Sequence, residues 1–263
     1  MRGTILEAMD FKYKLIDSGM SICEYCGSEY HVTIPAQIEG VPVTSIGKEA
    51  FKSCLGLIKI RISDGVKSIG DSAFSCCCDL EEITIPDSVE SIGKGTFSGC
   101  VNLKEIIIPN GVKSIGNSAF SWCTNLESMT ISDSVTSIGE GVLSGCSNLR
   151  EIRLPAGLTS IEAFSFSECT SLIEVTIPEK VRCIGEKAFG WCRNLESITI
   201  PGSVTSIDIG AFRGCKSLYT IYIDDPALSK EAVIRAIDVI LRENPFCKII
   251  KTGELVSWIP KPK

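Results

Sequence analysis

Ile69-Gly70-Asp71-Ser72-Ala73-Phe74-Ser75-Cys76-Cys77-Cys78-Asp79-Leu80-Glu81-Glu82-Ile83-Thr84-Ile85-Pro86-Asp87-Ser88-Val89-Glu90-Ser91 is one unit of a repeat. Its central cysteine belongs to a series, Cys54, Cys77, Cys100, Cys123, Cys146, Cys169, Cys192 and Cys215, spaced by 23 residues without a slip. A fixed period of that length signals stacked supersecondary units, none of which can bury its apolar side chains alone. Stacking sets each column of the sequence on the same column of the next rung, about 4.8 Å away at strand spacing.

Other columns keep the same phase. An isoleucine recurs at Ile46, Ile69, Ile92, Ile115, Ile138, Ile161, Ile184 and Ile207, and a leucine at Leu57, Leu80, Leu103, Leu126, Leu149, Leu172, Leu195 and Leu218. The aromatic column, Phe51, Phe74, Phe97, Phe120, Phe166, Phe189 and Phe212 with Leu143 in one place, holds seven of the ten phenylalanines, so this ring is expected to plug the centre of each rung. Two apolar residues bracketing one other, as in Ile83-Thr84-Ile85 and Ile198-Thr199-Ile200, read as a short strand with one buried face.

The pattern Leu-x-x-Ile-x-Ile-Pro followed by Val-x-x-Ile-Gly-x-x-Ala-Phe-x-x-Cys resembles the BspA-like leucine-rich repeat, the 23-residue class of that superfamily, over residues 46 to 223. The resemblance implies a β-rich, mixed α+β solenoid of about eight rungs. It would be a right-handed curved stack of short parallel strands with helical or 3₁₀ turns, plus a C-terminal capping helix. Departures such as Ser63 and Ser132 for proline, Glu162 and Asp208 for glycine, and Val142-Leu143 for Ala-Phe leave the phase intact.

Residue chemistry suggests a role for each column. Gly47, Gly70, Gly93, Gly116, Gly139 and Gly185 are expected to allow a bend at positive φ. Pro86, Pro109, Pro155, Pro178 and Pro201 lack an N–H and should end ladder pairing at a corner. Ala-Phe-x-x-Cys should form one helical or 3₁₀ turn, its cysteine acting as a small buried hydrophobe. Parallel thiols in a core, in a chain read as leaderless, are expected to be free.

The ends differ, as a stack with exposed last rungs requires. Residues 1–45 read as an N-terminal cap with a degenerate rung, Val32-Thr33-Ile34-Pro35 and Ile38 to Val43; residues 46–223 as the solenoid; and 224–263 as a C-terminal cap. Within the last, Ser229 is a candidate N-cap for a helix over about 229–243, whose apolar face carries Ala232, Val233, Ala236, Ile237, Ile240 and Leu241 and should cover the last rung. Cys247 to Ile250 and Leu255 to Trp258, around Thr252-Gly253, can form a hairpin.

Composition narrows the function. A net charge of −6, from 26 basic against 32 acidic residues, leaves no basic footprint for nucleic acid. No run of 18 or more apolar residues predicts membrane insertion, and Glu7 and Asp10 interrupt any apolar leader core. The expected location is cytoplasmic for a chain complete as it stands, or the cell surface if a leader was removed. Cys23-x-x-Cys26 with His31 is half of a zinc site without a second pair, so no metal is expected, and Cys54 is not required as a ligand. His31 is the sole imidazole and no nucleophile or phosphate-loop motif occurs, so neither catalysis nor a cofactor is expected.

Strand alternation turns two columns outward, onto what is the concave sheet in leucine-rich repeats. One runs Lys59, Glu82, Glu105, Ser128, Glu151, Glu174, Ser197, Thr220; the other Arg61, Thr84, Ile107, Thr130, Arg153, Thr176, Thr199, Tyr222. These positions can be ordinary solvated strand residues. The alternative is a recognition face in which Arg61, Glu82, Thr84, Glu105, Ile107, Glu151, Arg153, Glu174, Tyr219 and Tyr222 contact a protein or glycan, with Arg61, Ile107, Arg153 and Tyr222 as anchors. The family resemblance implies an adhesin-like, cell-surface binding module. The competing reading is a structural spacer or scaffold without its own ligand, and in either case a monomer.

Overall fold

The computed structural model describes residues 6–8, 10–208, 210–224, 231–251 and 254–256. Within them the chain winds into a solenoid of about nine turns. Each rung lays down a front strand, such as Glu105–Ile108, Ser128–Ile131 or Ser197–Ile200, then a two-residue side strand, such as Ser91–Ile92 or Ser114–Ile115. Both sets pair in parallel with a register of 23: Glu105 faces Ser128 and Ile106 faces Met129, while Ile92 faces Ile115. The alternation of the sequence decides which side chains turn inward, and Ile106, Ile108, Met129 and Ile131 are all buried.

The phenylalanine column is the axis of the core. Phe51, Phe74, Phe97 and Phe120 stack with ring centroids 4.9, 5.3 and 5.2 Å apart, and Phe166, Phe189 and Phe212 continue at 5.2 and 5.3 Å beyond Leu143. Burying each such ring is worth about 1.5–3 kcal/mol, so the column is a major source of cohesion between rungs.

Two expectations about the turns need correction. The Ile-Gly glycines Gly47, Gly70, Gly93, Gly116, Gly139 and Gly185 do not sit at positive φ. Their constraint is close approach: a Cβ on Gly70 would lie 2.7 Å from the Lys48 nitrogen, and one on Gly116 2.6 Å from that of Lys94, one rung back. Positive φ falls instead on two other columns. One holds Glu49, Ser72, Gly95, Ser118, Gly141, Phe164 and Lys187; the other holds Ser53, Cys76, Gly99, Trp122, Gly145, Glu168, Trp191 and Gly214.

The second correction concerns the Ala-Phe-x-x-Cys segment, which is a run of turns and neither an α- nor a 3₁₀-helix. The reason lies in its alternating bonds. The N–H groups of Ala50, Lys52 and Cys54 donate three residues back, to Gly47, Glu49 and Phe51, whereas those of Glu49, Phe51 and Ser53 donate to Asp71, Ala73 and Ser75 of the next rung. Half of the donors are therefore committed between rungs, and no continuous helical ladder forms.

Proline acts as its chemistry dictates. Carbonyls of Pro86, Pro109 and Pro201 accept the N–H three residues on and close the corner. Where Ser132 replaces proline, its N–H donates to Ile108 of the preceding rung at 3.2 Å, the bond that proline removes.

Both ends are capped by secondary structure. Antiparallel strands Leu6–Ala8, Phe11–Ile16 and Gly19–Tyr25 precede the repeats, and the last of these pairs in parallel with Val41–Ile46, placing Ile22 opposite Ile46. Tyr25 prolongs the aromatic column, 5.2 Å from Phe51. At the other end the helix Glu231–Glu243 buries Val233, Ala236, Ile237 and Ile240, while Ser229 lies outside the described residues. The hairpin forms from Lys248–Lys251 and Glu254–Val256, and it also extends the front sheet, because Lys248–Lys251 pairs in parallel with Thr220–Ile223. Thr220, expected to face solvent, is buried beside this added strand.

Candidate binding surface

Apart from Thr220, the outward columns of the front strands are solvent-facing as strand alternation requires. Arg61, Glu82, Thr84, Glu105, Ile107, Glu151, Arg153, Glu174, Tyr219 and Tyr222 are all exposed. Among the described residues Ile107 is the extreme case for an apolar side chain on a strand, 68% exposed between Thr84 and Thr130 of its own column.

Two shallow depressions occupy this face, whose strand ladder is interrupted between Glu82–Thr84 and Glu105–Ile108, and each contains one of the two arginines. The first, of about 520 Å³, gathers Arg61 and Thr84 with Thr33, Asp64 and Asp87 from neighbouring strands and corners. The second, of about 360 Å³, is lined by Thr130, Glu151, Arg153, Glu174 and Thr176. Arg61, Ile107 and Arg153 thus stand two rungs apart along one column, a step of about 10 Å.

Arg153 donates to Asp133 at 2.8 Å, and this bond, helped by the Ala156 N–H, holds the Asp133 carboxyl below its usual range. In the other outward column Lys59 pairs with Glu82 at 2.6 Å, whereas Glu151 and Glu174 are direct neighbours in register. Like charges directly opposite are destabilising, so this pair favours a cationic or hydrogen-bonding group above it.

Tyr219 stands just before the last front strand rather than on an outward column. Its hydroxyl donates to Glu196 one rung back, which pushes the phenol pKa up. Sequence reasoning did not single out Asp64, Asp87 or Asp133. Their signal is the corner column, where an aspartate follows the strand by two or three residues; the side chains of Asp87 and Asp133 accept a backbone N–H 23 residues on, from Asn110 and Ala156.

The cysteines divide by burial. Cys77, Cys100, Cys123, Cys146, Cys169, Cys192 and Cys215 are buried free thiols, while Cys54, on the first rung, is only half-buried. Cys23 is half-buried and Cys26 exposed on the cap, and His31 is exposed on the strand His31–Ile34. Among the described residues no group of three or more histidine, cysteine, aspartate or glutamate side chains is arranged to hold a metal ion, and no helix is long and apolar enough to cross a membrane.

The sequence matches the family described as BspA type leucine rich repeat region, in six copies over residues 18–149 and 113–229. No curated protein matches. Among solved structures, the leucine-rich repeat protein of T. pallidum is 32% identical, with a TM-score of 0.67, covering 73% of this chain and 91% of its own. A leucine-rich repeat protein from Bacteroides ovatus is 28% identical with a TM-score of 0.58, covering 83% of this chain and 70% of its own. Repeats of this kind point to a protein-binding or scaffold role and are generally non-enzymatic.

Proposed function

Because the chain belongs to the BspA-type leucine-rich repeat family, we propose that it is an adhesin-like binding module whose front sheet engages another protein. The observation that carries this reading is the row Arg61, Ile107, Arg153: two guanidinium groups and an exposed isoleucine at equal two-rung spacing on one column, with a depression around each arginine. Its complement is a protein surface that offers an apolar side chain flanked on both sides by carboxylates about 10 Å away. Glu82, Thr84, Glu105, Glu151 and Glu174 form the polar rim, and Tyr219 and Tyr222 supply amphipathic contacts at the C-terminal end.

The test is a quantitative comparison of partners retained from extracts of the source organism. Changing Arg61, Ile107 and Arg153 together to alanine should weaken retention by about a hundredfold or more, as the loss of hot-spot anchors does. Thermal stability should stay nearly unchanged, since all three side chains are exposed. Equal retention by wild type and triple variant would overturn the front-sheet reading.

A further inference from the structure

The turn side breaks its own pattern at one rung. In Ile138 to Cys146 both positive-φ columns carry glycine, Gly141 and Gly145, as Gly95 and Gly99 do two rungs earlier, but here alone the phenylalanine of the core is replaced, by Leu143. The side-strand ladder is interrupted here, between Ser137–Ile138 and Ser160–Ile161, where Glu162 replaces the close-approach glycine. With no side chain at Gly141 or Gly145, this rung makes a low floor between its neighbours. Its walls are aromatic: Trp122 on the rung before, at φ 60°, and Phe164 on the rung after, at φ 59°.

Both aromatic residues are costly where they stand. Bulky side chains at positive φ are rare outliers, and the columns accept glycine or serine on other rungs. Each ring is also substantially exposed, Trp122 at 52% and Phe164 at 36%. Trp122 lies against Gly145, where a Cβ would come within 2.8 Å of the indole, so glycine on the next rung is what lets the ring lie there. Lys187 sits over Phe164, 5.2 Å from the ring centre.

Polar groups complete the groove, which encloses about 330 Å³ and is lined also by Lys94, Asn117, Ser118, Glu140 and Ser144. Asn117 Oδ1 accepts the N–H of Glu140, which leaves the amide NH₂ as a donor. Lys94 and Glu140 balance each other on the lining, and Lys187 is paired with Glu186 at 3.0 Å, so the groove selects neither anions nor cations. A flat apolar platform ringed by mixed donors and acceptors matches a pyranose, which has a C–H face for the aromatic rings and hydroxyls around its rim.

We infer that the groove between Trp122 and Phe164 binds a neutral sugar, one or two pyranose rings long, independently of the front sheet. Glu140 accepts from sugar hydroxyls, while Asn117 and Lys94 donate to them. Trp191 provides an internal control. It occupies the same column as Trp122 and lies against Gly214 in the same way, but its depression is lined by Glu168, Thr170 and Arg193, with no second aromatic wall.

The experiment is saturation-transfer NMR with lactose, cellobiose and N,N′-diacetylchitobiose on the full chain. Wild type should bind at least one of the three at millimolar concentration, with transfer strongest at the ring C–H protons. Trp122→Gly should weaken that binding about tenfold or more, whereas Trp191→Gly and the Arg61/Ile107/Arg153 triple variant should change it less than about twofold. Gly99 and Gly145 already occupy the Trp122 column, so Trp122→Gly should fold normally. Phe164→Ser, which copies Ser72 and Ser118 of the same column, is the second variant if the melting point of the first falls. Absence of transfer from all three sugars up to about 20 mM, or equal binding by Trp122→Gly and wild type, would overturn the inference. So would loss of the front-sheet protein partner, rather than of sugar, on Trp122→Gly.

Discussion

The Cys123 thiol donates to the carbonyl oxygen of Phe97, one rung away, at 3.2 Å. The bond recurs from Cys77 to Phe51, Cys100 to Phe74, Cys146 to Phe120, Cys169 to Leu143, Cys192 to Phe166 and Cys215 to Phe189. Each of these carbonyls also accepts a backbone N–H from the cysteine three residues later, as Phe97 does from Cys100. A carbonyl has two lone pairs, and the thiol satisfies the second one inside an apolar core. Cysteine is therefore both a small core residue and the donor that ties adjacent rungs together.

Alkaline pH should weaken the fold through these thiols. Burial pushes Cys77, Cys123 and Cys169 up to about 12 from 9.0. The native state keeps its protons while the unfolded chain loses them, so the stabilisation is full below pH 9 and disappears as pH rises toward 12. Urea midpoints should be flat to about pH 8 and fall beyond about 9, with a shallower fall in a Cys123→Ala/Cys169→Ala variant. An identical slope in that variant would show that other groups cause the loss.

Gly116 and Ser118 should respond oppositely to substitution. Gly116→Ala forces a Cβ to within 2.6 Å of the Lys94 backbone and should cost about 1–3 kcal/mol. Ser118→Gly relieves a positive φ of 53° and should be neutral or stabilising by up to about 1 kcal/mol. Denaturant titration of the two variants decides the matter. A harmless Gly116→Ala would mean that the rungs are less tightly apposed than 2.6 Å implies.

Ending the chain after Asp224 should make it self-associate. The truncation removes the helix that buries Val233, Ala236, Ile237 and Ile240, and also the strand paired with Thr220–Ile223. What remains is an open parallel edge beside an uncovered core, the arrangement that recruits a second chain. Size-exclusion chromatography across protein concentrations should show dimers or larger species; a concentration-independent monomer would assign the cap another role.

Much of this architecture is legible in the sequence because a solenoid converts one-dimensional periodicity directly into contact. An identical spacing of 23 places Ile92 beside Ile115 and Phe97 beside Phe120 whatever else the chain does. The alternation Ile-Thr-Ile likewise determines which strand residues face outward, and Arg61, Ile107, Arg153 and Tyr222 are exposed as that pattern requires. Column chemistry was less legible. Glycine is used both where φ is positive and where backbones crowd, and only the positions of neighbouring rungs show that Gly116 belongs to the second kind.

By itself, then, the sequence determined the repeat, its register, the buried columns and the outward faces, since these follow from period and from the transfer of apolar side chains out of water. Only the tertiary structure decided how the rungs exchange hydrogen bonds on the turn side, why the thiols are donors, and that Lys248–Lys251 closes the front sheet. It alone also brought Trp122 and Phe164 to the two sides of a glycine floor. They are 42 residues apart and lie on different columns, so no single period relates them. Their proximity comes from how far each side chain reaches across a neighbouring rung, a matter of shape that periodicity does not encode.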